Sequence, residues 1–214
     1  MDKICPCCNN AAKPRLTKKN VQYHQCTSCQ TLFSDPLDNA DMVGGGNEVN
    51  RNQQENHLRI GRINEMVLGM AKEDVHILDF GCGHGYLIAD LKAAGYNCDG
   101  YDAYNEDFSI LPPNNKYHII TAVEVIEHCS RPFAELDVIK RSLVDFGVVM
   151  FETSFVDIAE EEGIALEDFF YIEPSVGHAT IFSHHGLDVL MSLRGFKPIQ
   201  HFNRNVRLYQ KQKK

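Results

Sequence analysis

Residues Leu78 to Ala103, LDFGCGHGYLIADLKAAGYNCDGYDA, decide the fold. Ile77 and Leu78 run into Asp79 as a buried strand would, and Gly81, Gly83 and Gly85 follow at alternate positions. Glycine lacks a β-carbon, so such a run lets the backbone turn sharply and approach a ligand closely. Tyr86–Ala94 then reads as a helix, and Cys98–Tyr101 as a second strand delivering Asp102, 21 residues after Gly81. An acid at that offset is placed to hydrogen-bond the hydroxyls of a ribose. The stretch predicts a βαβ unit with a nucleoside site at its first turn. A glycine turn that holds no nucleotide is the plainer alternative.

The glycine spacing narrows the choice. A dinucleotide fingerprint is G-x-G-x-x-G, whereas this turn is G-x-G-x-G with Tyr86 in the place of the last glycine, a bulk that hinders close pyrophosphate approach. No Gly-Lys-Ser/Thr follows, which excludes a phosphate loop. The segment resembles motif I of the class I S-adenosylmethionine-dependent methyltransferases, and the resemblance extends from about Glu55 to the C-terminus. It implies S-adenosylmethionine over Gly81, Gly83 and Gly85, with its methionine end near Asp79 and Gly81 and its ribose on Asp102. Glu124, at the end of a later strand, would face the same cofactor.

At 214 residues the chain can bury one core plus a small module. No apolar run approaches the ~18–20 residues of a membrane span, and MDKICPCC lacks the apolar stretch of a secretory signal. A cytoplasmic protein is expected, with no membrane partner. Net charge is −8, unevenly spread: residues 1–33 carry five basic residues against Asp2 (+4), and the remainder 16 basic against 28 acidic (−12). The acidic body argues against broad nucleic-acid binding, while the basic module leaves RNA open.

Five of the eight cysteines fall within the first 29 residues. Cys5-x2-Cys8 and Cys26-x2-Cys29, 17 residues apart, fit a four-cysteine zinc ribbon in which each pair sits on a tight knuckle. Four thiolates leave no open position, so this zinc would be structural. Asn9 follows the first knuckle where a left-handed backbone is useful. Cys7 is left as a spare thiol; a redox pair is the alternative use of such cysteines.

The expected organisation is a zinc ribbon over 1–34, a Gly-, Asn- and Gln-rich linker or cover loop over 35–54, and a methyltransferase domain over 55–214. In the ribbon, Val21–Gln25 reads as a strand. In the body, Leu58, Ile63, Val67 and Met70 recur at helical spacing between Glu55 and Ala71. Strands are expected at Val75–Asp79, Cys98–Tyr101, Tyr117–Val123 and Gly147–Phe151, with a weak one near Phe108–Leu111. Helices are expected at Pro132–Leu143, over about Val156–Phe170, and from an N-cap at Ser183 to near Gly195. Phe196–Phe202 and Val206–Gln210 make a closing hairpin. The fold class is therefore α/β. It is a Rossmann-like doubly wound sheet, seven-stranded by the resemblance, with a C-terminal antiparallel hairpin and a small zinc ribbon in front.

Ligands of such sheets bind beyond the carboxyl ends of the strands, which points to TAVEVIEHCSRPF, Thr121 to Phe133. If a helical turn follows the strand, Glu124, Glu127 and His128 share one face at i, i+3 and i+4. Two acids and an imidazole suit proton abstraction or a hard divalent metal. The E-x-x-E-H pattern resembles the ubiquinone-biosynthesis O-methyltransferases and the small-RNA 2′-O-methyltransferases. The latter resemblance implies Mg²⁺ or Mn²⁺ on Glu124, Glu127, His128 and a later histidine, here His178. His128, His178 and Glu127 are the candidate catalytic residues. Local packing of His128, with His178 as a core histidine, is the alternative. Tyr171 and Glu173 are placed to line an acceptor pocket, and His184 and His185 to stand exposed at a helix start.

The expected activity is methyl transfer to a small-molecule acceptor, with oxygen the favoured atom. RNA held by the basic ribbon is the second reading, and a non-catalytic, cofactor-binding interaction protein the third. A cysteine module ahead of this body also resembles sugar C-methyltransferases and certain ribosomal-RNA methyltransferases, but the large C-terminal domain of the sugar enzymes is absent. Nothing in the sequence speaks to oligomeric state.

Overall fold

The computed structural model describes residues 3–35, 53–129 and 132–213. Two sheets organise them. The N-terminal sheet holds β1 (Lys3–Ile4), β2 (Ala11–Lys18), β3 (Val21–Cys26) and β4 (Leu32–Asp35), all antiparallel. Its fifth strand, β9 (Thr180–Ile181), comes from the far end of the chain and pairs with β4. The eight-residue β2 has no expectation behind it, because Pro14 argues against a strand. It survives as one because the ladder shifts register between Pro14 and Leu16.

The main sheet contains β5 (His76–Phe80), β6 (Asn97–Tyr101), β7 (Tyr117–Val123), β8 (Leu143–Glu152), β10 (Phe196–Asn203) and β11 (Val206–Lys211), in the order β10-β11-β8-β7-β5-β6. The four central and leading strands are parallel and the closing hairpin is antiparallel, so the doubly wound α/β class is as expected. Six strands pair among the described residues. The weak strand expected near Phe108–Leu111 is absent. A 3₁₀ turn at Glu106–Phe108, capped by Asn105, takes its place, and Pro112 and Pro113 follow, which cannot donate to a ladder.

Helices α1 (Gln53–Met66), α2 (Tyr86–Ala93), α3 (Pro132–Ser142), α4 (Val156–Glu161) and α5 (His184–Leu193) complete the elements. Helix α4 is shorter than expected: Glu162 caps it and Gly163 takes φ +65°, ending the helical path. Helix α5 begins as expected, with Ser183 Oγ accepting from the Gly186 N–H. The buried stripe of α1 is Asn56, Arg59 and Ile63; of the expected apolar row Ile63 and, just past the helix, Val67 are buried, while Leu58 and Met70 are exposed. The linker expected over 35–54 lies mostly outside the described residues.

One apolar cluster joins the ribbon to the body, packing Tyr23, Leu32 and Phe33 with Phe151, Phe155, Ile181 and Phe182. Each such buried side chain contributes about 1.5–3 kcal/mol, so the ribbon shares the body's core. A second cluster, including Ile63, Ile77, Leu87, Ile88 and Leu91, sits beneath the glycine turn. Among the described residues no helix is long and apolar enough to cross a membrane.

Candidate active site

Register places the first half of the candidate site. Asp79 pairs with Gly100 on one side and Thr121 on the other, and Val123 with Glu152, so β5, β6, β7 and β8 end side by side. The turn after β5 is held by Gly81 and Cys82 N–H groups, both donating to the Tyr101 carbonyl at 2.7 and 3.2 Å. Gly81 has φ +76°, and a β-carbon there would stand 2.3 Å from Val125 Cγ2; both conditions demand glycine. Gly83, at φ +53°, has no atom within 4 Å of its would-be β-carbon, which leaves open space above the turn. Gly85 is the N-cap of α2.

Asp102 closes this half. Its Oδ2 accepts from Gly83 N–H at 2.9 Å and its Oδ1 from Tyr104 N–H at 2.8 Å, so its carboxylate is fixed beside the open face. Asn105 reinforces the loop by donating to the Gly83 carbonyl at 2.7 Å. Asp79 lies beneath, buried. Desolvation lifts its carboxyl to about 6, against the hydrogen bond from Thr121 at 2.7 Å and the charge of Arg59. Cys82 is half-buried, and burial pushes its thiol up to about 12, away from the thiolate a nucleophile needs.

Arg59 is a site residue that the sequence reading missed. Its guanidinium meets Glu152 at 2.8 and 3.2 Å, and Arg62 joins from the same helix at 2.8 Å. Together they tie α1 across the strand ends. A second omission is Gly100, whose β-carbon would stand 2.4 Å from Ile88. It provides the close helix–sheet approach, while Tyr86 is exposed at the start of α2.

The other half is built around Tyr171. Its hydroxyl stands 2.9 Å from Glu124 Oε2, 2.5 Å from Glu127 Oε1 and 2.9 Å from Thr153 Oγ1, and Thr153 donates to Glu127 Oε2 at 3.1 Å. The shared helical face expected for Glu124, Glu127 and His128 does not form. Glu124 has φ +53° and only Ile126–His128 makes a 3₁₀ turn. Tyr171, not helical spacing, brings the two acids together. Burial raises the Glu127 carboxyl, opposed by the hydrogen bond from Tyr171.

His128 and His178 meet edge to face, 4.9 Å between ring centres. His128 Nδ1 lies 3.1 Å from the Gly177 carbonyl and His178 Nδ1 2.7 Å from the Tyr171 carbonyl. A carbonyl only accepts, so both rings carry a proton on Nδ1, and His128 Nε2 stands 4.0 Å from Glu127 Oε1. Donor atoms of Glu127, His128 and His178 all lie within 4.8 Å of one another, whereas Glu124 is outside that group. Of the expected four-residue metal set, three are thus gathered. His185 is exposed as expected, but His184 is half-buried, 4.4 Å from the Phe155 ring.

In the ribbon, Cys5, Cys8, Cys26 and Cys29 gather within the same 4.8 Å limit, with Sγ–Sγ distances of 3.6 Å (Cys5–Cys29) and 3.4 Å (Cys8–Cys26). Tetrahedral zinc with bonds of about 2.3 Å sets sulfurs about 3.8 Å apart. Cys7 N–H and Ser28 N–H each reach a ligand sulfur at 3.4 Å, and Asn9 takes the expected left-handed backbone, φ 59°. The four cysteines fit a zinc ribbon.

Residues 50–201 match the family model described as a methyltransferase domain. The chain belongs to that family. Solved structures show the same fold at low identity. The 1,6-didemethyltoxoflavin-N1-methyltransferase of Burkholderia thailandensis, with 1,6-didemethyltoxoflavin and S-adenosylhomocysteine bound, is 13% identical. The alignment covers 94% of this chain and 100% of that one, at a TM-score of 0.60. A S-adenosylmethionine-dependent methyltransferase from Methanosarcina mazei is 16% identical over 71% and 98%, at 0.50. The magnesium protoporphyrin IX methyltransferase of Synechocystis, with S-adenosylhomocysteine bound, is 13% identical over 73% and 83%, at 0.50. No curated protein sequence matches. The methyltransferase is therefore an S-adenosylmethionine-dependent enzyme.

Proposed function

We propose that this methyltransferase methylates a hydroxyl of a small molecule, with His128 as the base and a structural zinc in the ribbon. The donor supplies an activated methyl on a sulfonium. Asp79 and Gly81 hold its methionine end, Gly83 and Gly85 let it lie against the backbone, and Asp102 takes the ribose. Glu124 stands between the two halves through Tyr171.

The observation that carries the reading is the pair of Nδ1–H bonds to backbone carbonyls. They orient both imidazoles and set Nε2 of the half-buried His128, the atom we assign as the base, 4.0 Å from Glu127 Oε1. Glu127, raised by burial and bonded to Tyr171 and Thr153, braces the cluster. The same Nδ1 pattern orients metal-ligating histidines, which supports a divalent cation on Glu127, His128 and His178 as the second reading. Two imidazoles favour Mn²⁺ over Mg²⁺ there.

A small acceptor is favoured over RNA because three of the ribbon's five basic residues are paired with groups of the body. Lys18 Nζ donates to the Phe169 carbonyl at 3.0 Å, Lys19 meets Glu173 at 2.7 Å and Arg15 meets Glu167 at 3.8 Å. Cysteines kept for zinc suit a reducing, cytoplasmic setting. The test is transfer of labelled methyl from S-adenosylmethionine to a panel of small hydroxyl compounds, with and without EDTA. Activity that survives EDTA and falls at least about a hundredfold in His128→Ala supports the base. Activity that EDTA abolishes and Mn²⁺ restores supports the cation instead.

A further inference from the structure

The N-terminal ribbon reaches the acceptor half of the site directly. Tyr23, fully buried on β3, donates its hydroxyl to the His178 carbonyl at 2.7 Å. Beside it β4 pairs with β9 through Leu32–Ile181 and Phe33–Thr180, and Ser34 N–H donates to the Ala179 carbonyl at 2.8 Å. From the opposite edge, Ala179 N–H donates to the Glu127 carbonyl at 2.9 Å, and the Gly177 carbonyl accepts from His128. Residues 177–181 are thus a strap held between the ribbon and the turn that carries Glu127 and His128.

The metal end is tied to the same region. Ser183, the N-cap of α5, donates its hydroxyl to the carbonyl of Cys29 and accepts from Gly186 N–H at 2.8 Å. Thr31 Oγ1 also accepts from Ser183 N–H at 3.3 Å. The apolar cluster under the glycine turn contains no ribbon residue, so the donor half has its own support.

We propose that the ribbon is a working part of the acceptor site: with zinc on Cys5, Cys8, Cys26 and Cys29 it holds the 177–181 strap, and Tyr23 is the positioning residue that fixes His178. This rests on the reading that His178 belongs to the acceptor half. Beyond the core it shares with the body the module has little of its own, so metal binding adds folding energy at its cysteine end. Without zinc the strap loses one of its two edges. Displacement of a group by about 1 Å in a methyl-transfer site costs about a hundredfold in rate, so a lost edge is felt in catalysis while the donor still binds.

The experiment uses the full chain labelled with ¹⁵N-histidine and ¹⁵N-alanine, the His178 Nδ1–H signal being assigned by its loss in His178→Gln and the Ala179 amide by its loss in Ala179→Ser. Tyr23→Phe is expected to keep one zinc per chain and S-adenosylhomocysteine affinity within about twofold, yet to speed exchange of the His178 Nδ1–H and the Ala179 amide about tenfold. Chelating zinc from the wild-type chain should speed the same two exchanges further, again with S-adenosylhomocysteine bound. Lys13→Ala, on the exposed face of the same hairpin, should change neither. Unaltered exchange in both Tyr23→Phe and zinc-free protein overturns the proposal. So does a parallel collapse of S-adenosylhomocysteine binding on zinc removal, or a chain that holds clearly less than one zinc. If Tyr23→Phe loses its metal, the chelation series decides alone. None of these readouts uses turnover, so a failure of the His128 base would leave them interpretable.

Discussion

The Tyr171 hydroxyl lies 2.5 Å from Oε1 of Glu127, and Glu127 is fully buried. That hydroxyl has one proton and also faces Glu124 at 2.9 Å, so it satisfies one carboxylate and the other must bring its own. Burial raises the Glu127 carboxyl, and we assign the extra proton to Glu127 on that direction. Glu127→Gln should therefore change unfolding free energy by less than about 1 kcal/mol. Glu127→Ala should cost about 2–3 kcal/mol, because the Tyr171 and Thr153 hydroxyls lose their partner. Urea unfolding separates them; a Gln variant as damaged as the Ala variant would contradict the assignment.

Asp79 gives donor binding a pH signature. Its folded-state pKa of about 6 exceeds the unfolded value, so the free protein holds an extra proton between about 4 and 6 and loses stability as pH rises through that window. The cationic donor favours the ionised carboxylate. Its affinity should therefore rise with pH up to about 6 and then level, and Asp79→Asn should be weaker and flat. Calorimetry of S-adenosylmethionine from pH 5 to 8 reads this directly. A flat wild-type profile would remove Asp79 from the donor site.

Two glycines of the turn should fail differently. Gly81→Ala places a β-carbon 2.3 Å from Val125, and both this clash and its positive φ should lower stability by more than about 2 kcal/mol. Gly83→Ala meets nothing within 4 Å, so it should cost only about 1–2 kcal/mol for its backbone conformation, yet it fills space the donor needs. Melting curves with and without S-adenosylhomocysteine should show a folded Gly83→Ala protein that the ligand no longer stabilises.

The ribbon's charges make a separate prediction. Lys19 holds the Glu173 carboxyl down to about 2, chiefly through its hydrogen bond. The pair's contribution is therefore full above the unfolded carboxylate value of about 4.5 and fades only as pH falls toward 2. Neutralising Arg15, Lys18 and Lys19 together should make zinc easier to chelate and should leave RNA binding weak, with little salt dependence. Strong RNA affinity in the wild type, steeply salt-dependent and lost in the triple variant, would restore the RNA reading.

What was legible in the sequence is what is local. The Asp79–Asp102 βαβ unit, the cysteine pairs, the Asn9 turn and the Ser183 cap each depend on residues within one supersecondary unit or one turn. The join between ribbon and body depends on β9, two residues long and paired with a strand some 150 positions earlier; so short a segment carries no periodic signal. Helix α1 misled for a different reason. Its buried stripe includes Asn56 and Arg59, whose partners Asp90 and Glu152 are distant in the chain. Polarity alone turns that face outward, and Leu58 inward, when the pairing is unknown.

The most direct test of the account is a calorimetric titration of S-adenosylhomocysteine into the wild type, Asp102→Asn, His128→Ala and His178→Ala. Assigning donor and acceptor to separate halves predicts binding in the wild type, a loss of at least about tenfold in Asp102→Asn and changes within about twofold in both histidine variants. Binding that Asp102→Asn leaves untouched, or that either histidine variant abolishes, would contradict it.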